Sequence, residues 1–117
     1  MIHTDLEVYK TAIEIATDIY KVTAKFPEDE KFVLTSQIRR SAVSISSNIA
    51  EGAGRKSDKE FINFLYISLG SVAELETQLL IATNIGYLNR ENPIFNKLEE
   101  MRKPLLGLIK YLKSKKK

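Results

Sequence analysis

The sequence predicts an all-α domain of four helices. Four stretches space their apolar residues three and four apart, and none shows the sustained apolar–polar alternation of a half-buried strand. Its 117 residues, 44% hydrophobic and 28% charged, suffice for one compact domain with its own core. The absence of cysteine excludes a disulfide framework, a thiolate zinc site, an iron–sulfur cluster and a cysteine nucleophile, and fits a reducing compartment.

The first helix is expected to start after Thr4 as N-cap, with Glu7 completing a capping box, and to stop near Ala24 before Phe26-Pro27. Its apolar residues Leu6, Val8, Tyr9, Ala12, Ile13, Ile15, Ala16, Ile19, Tyr20 and Val22 cover an arc of roughly 200°, twice the stripe a surface helix needs. A subunit contact, or two flanking helices of the same bundle, would cover it. On the first alternative, Ile15→Glu is expected to break the oligomer or the fold.

A connection from Lys25 to Leu34 includes a helical turn expected to start at Pro27. The second helix spans about Thr35 to Glu51, with a narrow core stripe of Leu34, Ile38, Ala42, Ile45 and Ile49 among many serines. Serine is a middling helix former, so packing or recognition, rather than propensity, explains that density. Gly52-Ala53-Gly54 is read as the end of this helix, and Ser57 to Glu60 as a capping box opening the third.

The third helix, about Asp58 to Ile85 and closed by Gly86, carries Phe61, Phe64, Leu65, Leu69, Val72, Leu75, Leu79 and Ala82 as its core stripe, with Ser68 and Glu76 on or beside it. The fourth begins near Asn92-Pro93 and carries Ile94, Leu98, Met101, Leu105, Leu108, Ile109 and Leu112; Pro104 inside it predicts a kink. Residues 113–117 read as a basic, flexible tail.

Charge and flanks narrow the function. Eighteen Lys and Arg face 15 Asp and Glu, and removing Lys115, Lys116 and Lys117 leaves a neutral body. Asp5 and Glu7 stand where a signal peptide needs a basic flank, and the longest uncharged stretch, Phe61 to Ala73, falls short of the roughly 20 apolar residues of a membrane span. A cytoplasmic protein without a membrane partner is expected.

Catalysis has little raw material. His3 is the sole histidine, which leaves histidine triads and metal clusters without members. Residues 52–57 (GAGRKS) lack the spacing of a phosphate loop and follow a helix rather than a strand. No Glu-x-x-His occurs for a di-metal bundle site, so neither metal nor cofactor is expected. Of Glu74 and Glu76 only one can face inward; periodicity selects Glu76, with Arg39 or Arg40 as the expected ion-pair partner.

Arg40, Ser44, Ser47 and Glu51 form a polar ridge beside Asn48 on the second helix, which suits a subunit contact, a surface for another protein, or a solvated face. Two basic clusters, Arg55, Lys56 and Lys59, then Lys110, Lys113, Lys115, Lys116 and Lys117, suit phosphate contacts, and Arg39 and Arg40 are candidates for the same nucleic-acid contacts. Phe61, Phe64 and Tyr111 fit core positions, which leaves no obvious aromatic–basic interleaving for strand stacking.

Leu34 to Gly52 (LTSQIRRSAVSISSNIAEG), followed by Gly54-Arg55, and Gly70 to Leu79 (GSVAELETQL) resemble the two signatures of the 23S rRNA intervening-sequence family. The resemblance implies an antiparallel up-and-down four-helix bundle, assembled as a barrel-like homopentamer without enzymatic activity, and binding of structured RNA or DNA. Some members of that family are encoded inside insertions of the large ribosomal RNA gene. Arg39, Arg40, Asn48, Glu51, Arg55, Glu74 and Glu76 match the family's recurrent polar residues. A protein-interaction scaffold presenting the Arg40–Glu51 ridge is the alternative function.

Overall fold

The computed structural model describes His3 and residues 6–115; Thr4 and Asp5, expected to cap and open the first helix, lie outside the described residues, as do Lys116 and Lys117. Four helices form: α1 (Glu7–Thr23), α2 (Leu34–Ala53), α3 (Asp58–Ile85) and α4 (Ile94–Ser114), with a 3₁₀ turn at Glu28–Glu30 after Pro27. No strand occurs among the described residues. Short connections force neighbours to run antiparallel, and each helix packs on the one before it while α4 returns to α1. Among the described residues the diagonal pairs α1–α3 and α2–α4 make no close backbone approach, so the architecture is an up-and-down bundle, 51 Å long and 24 × 19 Å across.

The core lies where the periodicity placed it. Ile15 and Ile19 of α1, Ile38, Ile45 and Ile49 of α2, Leu65, Leu75 and Leu79 of α3, and Leu98, Met101 and Leu105 of α4 are fully enclosed. Each such side chain contributes roughly 1.5–3 kcal/mol by leaving water. The seam between α2 and α3 explains the serine density: Ser41 donates to Gln78 Oε1 at 3.0 Å, Ser44 and Ser71 share a bond of 2.9 Å, and Ser68 donates to the Ile45 carbonyl at 2.9 Å. Small hydroxyls let the two backbones approach and then satisfy one another across the contact. Ser68→Ala is expected to lower stability by about 1 kcal/mol, seen as a fall of roughly 4–6 °C in Tm by circular dichroism.

Several element ends differ from expectation. α1 begins at Glu7, with Leu6 at the N-cap position and no side-chain cap. α2 continues through Gly52 to Ala53, with Gly54 capping it in right-handed geometry, so neither glycine is present for a left-handed turn. Gly52 instead serves close approach, since a Cβ there would sit 2.6 Å from Phe64 Cβ. α4 runs through Pro104 as one helix and on to Ser114, so Lys113 and Ser114, expected in the flexible tail, are helical. The Glu100 carbonyl that Pro104 leaves without its usual donor belongs to an exposed residue and can bond water instead. Two expectations match: Ser57 Oγ accepts the Glu60 N–H at 3.2 Å, and Gly86 closes α3 at φ 99°.

Two polar ties hold the helix ends. The Tyr87 hydroxyl donates to Glu30 Oε2 at 2.8 Å, and that bond, with burial and the Glu30 and Asp29 charges, raises the phenol above its ordinary value of 10.0. Lys97 donates to Asp18 at 2.6 Å, with Glu14 3.7 Å away; the Asp18 bond raises the ammonium above 10.5 despite some opposing desolvation. Both groups favour the protonated form in the folded protein. Their stabilisation is therefore complete below the unfolded values and is lost as pH rises through the folded ones. Thermal melts between about pH 8 and about pH 11 are expected to show stability falling above roughly pH 10, with a shallower fall in Tyr87→Phe. An identical alkaline profile for that variant would contradict the Glu30 tie.

Candidate nucleic-acid interface

The turn between α2 and α3 carries Arg55 and Lys56, and the first turn of α3 carries Lys59. Arg55 is held by two carboxylates, Glu51 at 3.1 Å and Glu60 at 3.2 Å, and lies 5.1 Å from the Phe64 ring centroid. Because α4 runs antiparallel to α3, its last turn comes back to this same end. Lys113 donates to the Tyr66 hydroxyl at 2.7 Å, and Lys115 pairs with Asp58 at 3.2 Å. Two lysine clusters more than 50 residues apart in sequence thus share one end of the bundle.

Pairing decides which of these cations remain available. Arg55 and Lys115 are offset by carboxylates, whereas Lys56, Lys59, Lys110 and Lys113 have no acidic partner among the described residues. Lys116 and Lys117 lie outside the described residues. These four cations are exposed, and among the described residues only Lys113 has a bond within the fold, to the neutral Tyr66 hydroxyl, so this end can attract phosphates without breaking an ion pair.

Arg39 and Arg40 do not join that cluster. They stand in the first half of α2, 15 and more residues before Arg55, which at about 1.5 Å per residue is over 20 Å along the axis. Arg39 donates from Nε to Thr23 Oγ1 at 2.9 Å and from its terminal nitrogen to the Tyr20 carbonyl at 3.4 Å, with its guanidinium 4.5 Å from the Tyr20 ring centroid. Glu76 is therefore paired with neither arginine of α2. Its partner is Arg102 of α4 at 2.9 Å, which also holds Glu99 at 2.7 Å. Glu76 leans toward α4 rather than α2, a choice that helical periodicity alone cannot make.

The expected polar ridge is mostly consumed by structure. Ser44 bonds Ser71, Asn48 donates to the Ser44 carbonyl at 2.8 Å, and Glu51 holds Arg55. Arg40 and Ser47 alone of the set stay outward with no side-chain bond. Arg40 and Glu74 face a polar cleft of about 420 Å³ between α2 and α3, floored by Ser41, Ser44 and Gln78. Among the described residues no three His, Cys, Asp or Glu come together as a metal set.

The exposed aromatics went unseen in the sequence. Tyr111 is 56% exposed rather than core, and Tyr20, Tyr66 and Phe32 also face outward. The signal was present for Tyr66, which falls off the α3 core stripe, and for Phe32, which precedes α2. Apolar surface is likewise left open: Ile67, Ile81 and Ile85 on α3, and Ile13 of α1 with Val43 of α2. By length and composition α3 could cross a membrane, with an 18-residue window of mean hydropathy 1.2, yet 39% of that window is buried in the bundle.

These features define a four-helix bundle with a basic end, a polar α2–α3 seam and surplus apolar surface. The chain belongs to the family of 23S rRNA-intervening sequence proteins, whose profile matches residues 4–107. It is similar to the crystal structure of a protein of unknown function from the S23 ribosomal protein family of Bacteroides thetaiotaomicron. The two are 33% identical over 94% of this chain and 99% of that one, with a TM-score of 0.81. No curated protein matches the chain.

Proposed function

We propose that this protein is a non-catalytic subunit of a homo-oligomer, pentameric in the family's manner, that holds structured RNA or DNA by its phosphate backbone. The observation that carries the reading is the convergence of Lys56, Lys59, Lys110 and Lys113 on one end of the bundle, with no acidic partner among the described residues. Five copies of a chain with formal charge +3 carry +15, and backbone attraction grows with the number of phosphates neutralised.

Assembly is supported by the apolar surface that the bundle leaves open. A helix as apolar all round as α3 normally has a second cover. The open faces of α1 and α3 belong to diagonally placed helices, so they lie on different sides of the bundle. Two unlike patches suit head-to-tail contacts, which close into a ring, rather than a two-fold dimer. Ile13, 42% exposed, is the probe: Ile13→Glu is expected to reduce the mass in light scattering to that of a monomer with helicity intact. An unchanged mass would remove α1 from the interface.

Fluorescence anisotropy against an RNA hairpin and a DNA duplex tests the ligand. Affinity is expected to fall steeply between about 50 and about 200 mM salt, and Lys56→Gln, Lys59→Gln and Lys113→Gln should each lower the slope by about 1. Binding that ignores salt, or no binding at low salt, would overturn the reading.

A further inference from the structure

The first half of α2 and the chain leading into it form a second cationic surface, separate from the basic end. A cleft of about 590 Å³ opens between α1, α2 and that connection, lined among others by Tyr20, Lys31, Phe32, Ser36, Arg39 and Arg40, with no carboxylate in its lining. The volume is in the range of ligand clefts, about 300–1,000 Å³. Phe32 is 86% exposed, an unusual state for a phenylalanine.

We infer that this cleft binds an unpaired stretch of single-stranded nucleic acid, stacking a base on Phe32 and taking the adjoining phosphates on Arg39, Arg40 and Lys31. The inference rests on the nucleic-acid reading and adds to it a contact that a duplex cannot make. Arg39 is preset for the task. Its bonds to Thr23 and the Tyr20 carbonyl and its stacking on Tyr20 fix the guanidinium, while its second terminal nitrogen carries no bond. Arg40 is exposed and has no hydrogen-bond or ion-pair partner among the described residues, and Lys31 lies 5.7 Å from the Phe32 ring centroid. Cations beside an open ring face are the arrangement that binds backbone and base together, because every base has a π-face and every linkage a charge. Paired bases keep their faces inside the duplex stack and cannot reach Phe32.

No carboxylate lines the cleft itself; Glu74 shares the adjoining α2–α3 cleft with Arg40, and Glu30, in the turn before Lys31, is engaged by the Tyr87 hydroxyl. An acidic peptide would satisfy the three cations but would leave the Phe32 face without a planar partner.

The test is anisotropy titration of the full-length protein with a labelled oligouridylate strand and with an RNA duplex of equal length, with mass measured on each sample. Phe32→Leu is expected to weaken strand binding about tenfold, and Arg40→Gln to weaken it and lower its salt slope, while both leave duplex binding and mass unchanged. Strand binding that ignores both substitutions, with duplex binding intact, would overturn this inference alone. Binding of neither ligand by the unsubstituted protein would overturn the parent reading with it. Loss of mass in Phe32→Leu would place Phe32 between subunits. Displacement of the strand by equimolar inorganic phosphate or polyglutamate would make the cleft a simple anion site. Either result would also overturn it.

Discussion

Ile15→Glu is expected to abolish the folded state outright. Ile15 is fully enclosed among residues of its own chain, so the substitution removes an apolar side chain worth roughly 1.5–3 kcal/mol and puts a carboxylate in its place. An unpaired buried carboxylate adds a desolvation cost of several kcal/mol unless it takes up a proton. The sum is comparable with the whole stability of a domain this size, about 5–15 kcal/mol. Circular dichroism should show loss of helix at neutral pH, with partial recovery near pH 5 as the carboxyl becomes neutral. A helical, cooperative protein at neutral pH would place Ile15 outside the core. The wide apolar arc of α1 thus divides into two parts with separate tests. Val8, Ala12, Ile15 and Ile19 face the bundle, whereas Ile13 and Tyr20 face out. Ile15→Glu reads the fold, and Ile13→Glu reads the assembly.

Gly52→Val is the second substitution with a large expected effect, and Gly52→Ala is its graded control. On an exposed helix, alanine in place of glycine stabilises by about 1 kcal/mol. Here the sign is expected to reverse. A Cβ at Gly52 would stand 2.6 Å from Phe64 Cβ, 2.9 Å from Phe61 Cδ1 and 3.3 Å from the Phe61 carbonyl oxygen. Phe64 Cβ cannot swing aside as the end of a flexible chain could, since it is fixed to the α3 backbone. The two helices must therefore separate along a seam whose serine bonds are short and directional. Gly52→Ala should cost about 1–3 kcal/mol in urea unfolding, and Gly52→Val more, with a fall in the transition midpoint at unchanged m. A Gly52→Ala protein as stable as its parent would show that α2 and α3 part cheaply, and would remove close packing as the reason for a glycine at this position.

Gly52 also shows where sequence reading ran out. Glycine near the end of an apolar pattern is read as a stop, because that is its commonest role there. The position instead carries a long-range contact with α3, which no local pattern contains. Glu76 is a similar case. Periodicity assigned it to the edge of the core but could not say which neighbouring helix supplies its cation, and Arg102 comes from α4 rather than α2. The basic residues of the bundle's end are visible in the sequence, yet nothing in their spacing groups Lys113 with Lys59 and leaves Arg39 elsewhere. That grouping depends on the antiparallel return of α4.

Four helices, their order and most of their enclosed residues were legible in the chain by itself, because helical period and turn chemistry are local properties written every three or four residues. Ser57 as a cap, Gly86 as a stop and the uncovered arc of α1 belong to the same level. Only the tertiary structure decided which serines bond across α2 and α3, which cations are spent on carboxylates and which remain free, and that Phe32, Tyr66 and Tyr111 stand in solvent. The reason is physical. Local sequence sets the direction in which a side chain leaves its helix, but what it meets there is set by the packing of segments 20 to 60 residues away.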